Sequence, residues 1–152
     1  MTTLETLGHF LATPGIGAKS EHVLRRHVID IVFKVPASSY SIEASNPRHE
    51  HEWSVFRDVK LPSGSVLIPG VVGHCTDFIE HPELIAERLV RYAKLVGREN
   101  VMGGTDCGLG PRVGHESIVW AKLAAMAEGA KLATKQLWPA RKTAKPKAGK
   151  KA

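Results

Sequence analysis

Apolar positions recur at two spacings along the chain, and these spacings predict alternating helices and strands. In the segment 21–34 apolar residues return every three or four positions, as on the buried side of a helix, and Pro36 ends the segment. The stretch 40–43 is typical of a short strand, and a shorter helix is predicted over 53–59. The chain therefore begins with a helix, a strand and a second helix.

The middle of the chain contains the clearest strand and the clearest helix. The run 66–72 is apolar at nearly every position, which indicates a parallel strand covered on both faces. Pro82 stands at a predicted helix start, and Gly97 at its end. A short strand over 100–105 and a long helix over 118–137 complete the pattern.

This order of elements predicts an α/β fold. A helix followed by three strand–helix pairs requires parallel strands with right-handed crossovers. A complete (β/α)8 barrel takes about 250 residues, whereas this chain has 152. The prediction is a partial (β/α)8 TIM barrel, about its last three βα units, which is either a fragment or completes its sheet with a partner.

Composition and charge argue against a nucleic-acid partner. The hydrophobic content of 43% suffices for one modest core. Much of the net charge of +6 comes from basic residues between 141 and 151, in a stretch that cannot bury apolar surface. We therefore expect a nearly neutral body, a disordered basic tail over 139–152, and no specific nucleic-acid binding.

Cysteine usage and hydropathy bear on the compartment. Cys75 and Cys107 occur without an apolar leader, so neither secretion nor a disulfide framework is favoured. No apolar run approaches the roughly 20 residues needed to cross a bilayer. The expectation is a soluble, cytoplasmic protein without a membrane partner.

Residues suited to chemistry follow each predicted strand, where the loops of parallel α/β folds converge. They are Glu43, Asn46, Arg48, His49 and His51 after the first strand, His74 and Cys75 after the second, and Asp106 and Cys107 after the third. Zinc accepts carboxylate, imidazole and thiolate ligands. Taken alone, however, these residues fit a charged strand end and a small buried cysteine better than a metal site.

Six short motifs in fixed order change this interpretation. They are Glu43-Ala-Ser-Asn-Pro-Arg-His-Glu-His-Glu-Trp53, Ile68-Pro-Gly-Val71, Glu80-His-Pro-Glu83, Val96-Gly-Arg-Glu99, Gly104-Thr-Asp-Cys-Gly108 and Val119-Trp-Ala-Lys-Leu123. Together they resemble the C-terminal barrel of the cobalamin-independent methionine synthase family, nearest to its methionine-synthase-like and epoxyalkane:coenzyme M transferase-like branch. The resemblance assigns residues 21–138 to the barrel and leaves 1–20 unmatched.

The resemblance implies a zinc-dependent transfer of a methyl or alkyl group from a small-molecule donor to a small-molecule thiol. In methionine biosynthesis this is the 5-methyltetrahydropteroyltriglutamate-homocysteine S-methyltransferase type of reaction. Glu43 and Cys107 match two of the family's zinc ligands, but the family's His-x-Cys ligand pair has no counterpart here. The alternatives to an enzyme are a non-catalytic or complementing module of a split barrel, as a homo-oligomer or with a partner chain, and a degenerate remnant.

Cys75 and His74 are the first candidates to replace the missing ligand pair. His74 could equally act as the acid that the resemblance implies near this point. The plainer alternative is a loop histidine beside an incidental cysteine.

The remaining candidates are predicted to bind substrate. His49 and His51 are interpreted as a polar lining, with a metal-binding pair as the alternative. Asn46 and Arg48 suit an anionic substrate group, and a structural ion pair would also explain the arginine. Asp106 would orient a ligand or bond a substrate amine, unless it only caps the following turn.

Overall fold

A three-stranded parallel sheet forms the centre of residues 28–110 and 112–139, the part of the chain that the computed structural model describes. Its strands are β1 (Ser39–Ile42), β2 (Val66–Val72) and β3 (Gly104–Thr105), in the spatial order β1-β2-β3. The predicted α/β class with parallel strands is confirmed. The unmatched segment 1–20 and the basic tail from 140 onward lie outside the described residues.

A helix precedes β1, and helices follow each of the three strands. Residues 28–32 are helical, a 3-10 helix spans Glu50–Arg57, helix α1 spans Pro82–Val96, a 3-10 turn spans Arg98–Asn100, and helix α2 spans Glu116–Leu137. Gly97 caps α1 with a φ of 96°, a conformation that favours glycine. Within the described residues, no helix has the length and apolar character that a membrane span requires.

Two helices begin earlier than predicted. The helix after β1 is a 3-10 helix that begins at Glu50, and side chains three positions apart nearly eclipse one another in this geometry. At its start, His49 Nδ1 and Glu52 Oε2 lie 3.1 Å apart. Helix α2 begins two residues earlier than predicted, because the side chain of His115 accepts a hydrogen bond from the backbone N–H of Ser117.

Pro69, which has no N–H group to donate, is tolerated inside the central strand because its nitrogen faces β3, where the pairing is irregular. Val66 donates its N–H to Ser38 on the β1 side, whereas Leu67 accepts from Met102 on the β3 side. Neighbouring residues alternate in this way along a strand, so Pro69 turns its nitrogen toward β3. The pairing of β2 with β3 is irregular next to this position, and the missing donor therefore breaks no regular ladder.

Two apolar clusters cover the sheet. One lies between β2 and the helices α1 and α2, and it includes Val71, Val72, Ile85 and Leu89. The other packs the 3-10 helix against β1 and α1, and in it Phe56 and Tyr92 are in edge contact at 5.7 Å between ring centroids. The candidate residues follow the carboxyl ends of the three strands.

Candidate functional site

Asp106 joins the carboxyl ends of β1 and β3 across the top of β2. Its Oδ1 accepts hydrogen bonds from the backbone N–H groups of Ala44 (2.8 Å) and Ser45 (2.9 Å), and its Oδ2 accepts from Asn46 Nδ2 (2.9 Å). The side chain is 9% exposed. These three bonds, named here the Asp106 bridge, fix the loop that follows Glu43 to the residue that precedes Cys107.

The central strand makes room for this bridge with a glycine. A Cβ atom on Gly70 would lie 2.0 Å from Asp106 Oδ1 and 2.9 Å from the Cα and backbone nitrogen of Asp106. Backbone atoms cannot move aside as a flexible side chain can, so any larger residue at position 70 would displace Asp106. The glycine of the Ile68-Pro-Gly-Val71 motif thus has a steric role.

Glu43 lies in a chain of polar contacts that begins at the Asp106 bridge. Asn46 Nδ2 also donates to Glu43 Oε2 (3.1 Å), so the amide group of Asn46 contacts both carboxylates. His49 lies between Glu43 and Glu52, with its Nε2 3.5 Å from Glu43 Oε2 and its Nδ1 3.1 Å from Glu52 Oε2. His49 is only 6% exposed. It is a buried link between two carboxylates.

The other predicted substrate-binding residues differ in exposure. Asn46 Oδ1 accepts from the backbone N–H of Arg48 (3.1 Å), so the side chain of Asn46 is engaged within the protein at both ends. Arg48 and His51 are exposed. The substrate contacts predicted for Asn46, Arg48, His49, His51 and Asp106 stay predictions.

Arg88 on α1 is a buried residue that the sequence analysis did not single out. It donates to the backbone carbonyl groups of Val71 (3.0 Å) and Ser45 (3.3 Å), and it pairs with Glu50 at 3.0 Å. The available signal was its position, since a charged residue at position 88 interrupts the apolar side of α1. Arg88 attaches the loop after β1 to the helix that packs on β2.

A second polar group lies in the loop after β2. His74 is 6% exposed, and its Nε2 lies 3.1 Å from Cys75 Sγ, while Cys75 itself is exposed. In the same loop Glu80 accepts from the backbone N–H of Gly73 (2.7 Å) and pairs with Lys122 at 3.0 Å. Within the described residues His74 Nδ1 has no hydrogen-bond partner.

The donor types at this edge suit zinc, but the number of donors is short. Glu43 offers oxygen and Cys107 offers sulfur, and zinc accepts both. Residues 28–110 and 112–139 nevertheless contain no group of three or more His, Cys, Asp or Glu side chains that could hold a metal ion. A zinc site takes at least three protein ligands, and the ligand roles predicted for Glu43, Cys75 and Cys107 stay predictions.

Comparisons with known proteins bear on the fold. No family model matches the chain, and no curated protein matches it. A solved structure that does match is a B12-independent methionine synthase from Shewanella sp. W3-18-1 in complex with selenomethionine. The identity is 24% and the TM-score 0.62, over 74% of this chain and 31% of that one. The chain thus spans about a third of that protein and shares the fold of that part.

Proposed function

We propose that the chain is the C-terminal part of a methionine-synthase-like TIM barrel, and that Glu43 and Cys107 are two of the zinc ligands of a thiol methyl- or alkyltransferase. The observation that supports this most directly is the Asp106 bridge, which links the loop after Glu43 to the residue before Cys107. The six ordered motifs and the similarity in fold to a B12-independent methionine synthase support it independently.

The reaction class would be the transfer of a methyl or alkyl group from a small donor to a thiol. The two proposed ligands are fewer than a catalytic zinc site needs, so at least one more would come from outside the described residues. This further ligand would come from a His-x-Cys pair like that of the family, carried either by another part of the same polypeptide or by a second chain.

Zinc binding tests the ligand assignment. We expect the natural chain to bind zinc weakly in competition with a chromophoric chelator, and Glu43→Gln and Cys107→Ser to weaken this binding. The loss of affinity should be at least about tenfold. Substitution of residues that only hydrogen-bond to metal ligands already lowers metal affinity about 10- to 100-fold, and loss of a ligand should cost no less.

Asp77→Asn is the matched control, since it removes an exposed carboxylate that is not a predicted ligand. It should leave the zinc affinity unchanged. Equal affinity in all four proteins, or a natural chain that binds no zinc with or without a barrel segment bearing a His-x-Cys pair, would contradict the proposal.

A further inference from the structure

We propose that Asp106 is a positioning residue, which through the Asp106 bridge sets where Glu43 stands relative to Cys107. This inference rests on the proposed function only where it concerns the metal. In this role Asp106 would act on the ion through Glu43 and not as a ligand itself.

The hydrogen bonds of Asp106 explain why its side chain would act at a distance. Both carboxylate oxygens accept bonds from the loop after β1, two of them from backbone N–H groups. Ionised acceptors form stronger bonds than neutral ones, and burial strengthens them further. The loop is thereby held to β3 across 60 or more positions of sequence, although β1 and β3 do not pair with each other.

Asn46 transmits the position of Asp106 to Glu43. Its amide nitrogen donates one bond to Asp106 Oδ2 and another to Glu43 Oε2, which accounts for both of its hydrogens. Its Oδ1 is bonded to the backbone of Arg48, so a flip of the amide would lose all three contacts. The orientation of Asn46 is therefore fixed, and a shift of Asp106 would shift the carboxylate of Glu43.

Gly70 gives a way to move Asp106 without removing its charge. In Gly70→Ala the added Cβ would collide with the backbone and the carboxylate of Asp106. In Asp106→Asn the side chain keeps its shape but presents an N–H group toward the N–H group of Asn46. Both variants should disturb the position of Glu43, and only one of them changes the charge near the metal.

The experiment has two readouts. The first needs no metal, and it compares amide hydrogen exchange at Ala44 and Ser45 together with the carbon-13 resonances of the Glu43 carboxyl and of Cys107 Cβ. The second is zinc affinity by chelator competition. We expect Asp106→Asn and Gly70→Ala to speed exchange at both amides, to shift both resonances, and to weaken zinc binding about 10- to 100-fold.

Two matched controls separate this effect from general damage. Asp77→Asn removes another carboxylate that accepts a backbone N–H, from Gly114 (2.8 Å), in an exposed loop. Gly108→Ala adds a methyl group next to Cys107 at a position where a Cβ meets nothing within 4 Å. Neither variant should change the exchange at Ala44 and Ser45 or the zinc affinity.

A charge-swap variant tests the direction of the hydrogen bonds. Asp106→Asn with Asn46→Asp restores a bond between the two side chains in reverse, but Asp at position 46 cannot donate to Glu43. We expect exchange at Ala44 and Ser45 to slow again, while the Glu43 resonance and the zinc affinity stay altered. If Asp106→Asn alone fails to fold, Gly70→Ala and this double variant decide.

Each contrary outcome has a definite meaning. Unchanged exchange and unchanged resonances in Asp106→Asn and Gly70→Ala would overturn the inference. So would altered exchange with natural zinc affinity, because Asp106 would then be purely structural. If the natural chain binds no zinc even with a barrel segment that bears a His-x-Cys pair, the proposed function fails, and the resonances of Glu43 and Cys107 still decide whether Asp106 sets their positions.

Discussion

Lys122 shows at the scale of single residues how tertiary structure changes the meaning of a side chain. A lysine on a helix is normally solvated, yet Lys122 is 0% exposed and its ammonium group contacts Glu80 and the backbone carbonyl of Phe78. Through Glu80 it also holds the backbone of Gly73, next to His74. This pair was not predicted from the two motifs that contain its members, because the members lie 42 positions apart.

Removal of the Lys122 ammonium group should destabilise the protein. Lys122→Met keeps the apolar part of the side chain but removes the cation that pairs with the nearly buried Glu80. Loss of one partner of a buried ion pair costs about 3 kcal/mol. The free energy of unfolding in urea measures the effect. Lys131→Met, on the exposed side of the same helix, should change it little, and an equal loss in both variants would contradict the assignment.

At the scale of elements, α2 illustrates what apolar periodicity can and cannot predict. The pattern identified the helix, but its buried residues are Lys122, Ala125, Gly129 and Ala133, a line of mostly small side chains. The larger apolar residues at 119, 123 and 126 flank this line and are only partly buried. Periodicity weighs large apolar residues most, whereas close contact with α1 requires small ones.

Gly129 lies where α2 packs closely against α1. A Cβ atom there would lie 2.5 Å from Ile85 Cγ2 and 2.8 Å from the backbone oxygen of Pro82 on α1. In an exposed helix, Gly to Ala stabilises by about 1 kcal/mol. Here we expect the opposite sign, a loss of about 1–3 kcal/mol from overpacking.

Thermal unfolding followed by circular dichroism would measure the effect of Gly129→Ala. Glu128→Ala, at the neighbouring exposed position, is the control and should leave the stability nearly unchanged. A gain in stability from Gly129→Ala would show that the helices have room to separate.

At the scale of the whole molecule, the sheet has two outer strands with an unpaired side. Among the described residues β1 and β3 each pair only with β2. Parallel strands usually occur in sheets that are covered on both faces and continued at their edges, and an open edge offers unsatisfied N–H and C=O groups to other chains. The isolated chain is therefore expected to associate as its concentration rises.

A charge on the outer strand should reduce this association. Ser41 lies in β1 and is exposed, so Ser41→Lys adds a cation at the edge without a change in the core. Sedimentation velocity over a range of concentrations should show more monomer than for the natural chain. Ser63→Lys, which adds the same charge in the exposed turn before β2, is the control, and an equal shift would indicate net charge alone.

The sequence by itself determined the elements and their order, because helical and strand periodicities arise from neighbours within a few positions. It also determined that Glu43, His74 and Cys107 each follow one of three successive strands. Because parallel strands end at the same edge of a sheet, the sequence placed all three residues at that edge. The tertiary structure decided the contacts of these residues. Asp106 and Ala44 are 62 positions apart, and their bond depends on strand register and on the space above Gly70. Such distances are set by the packing of whole elements, which no local pattern records.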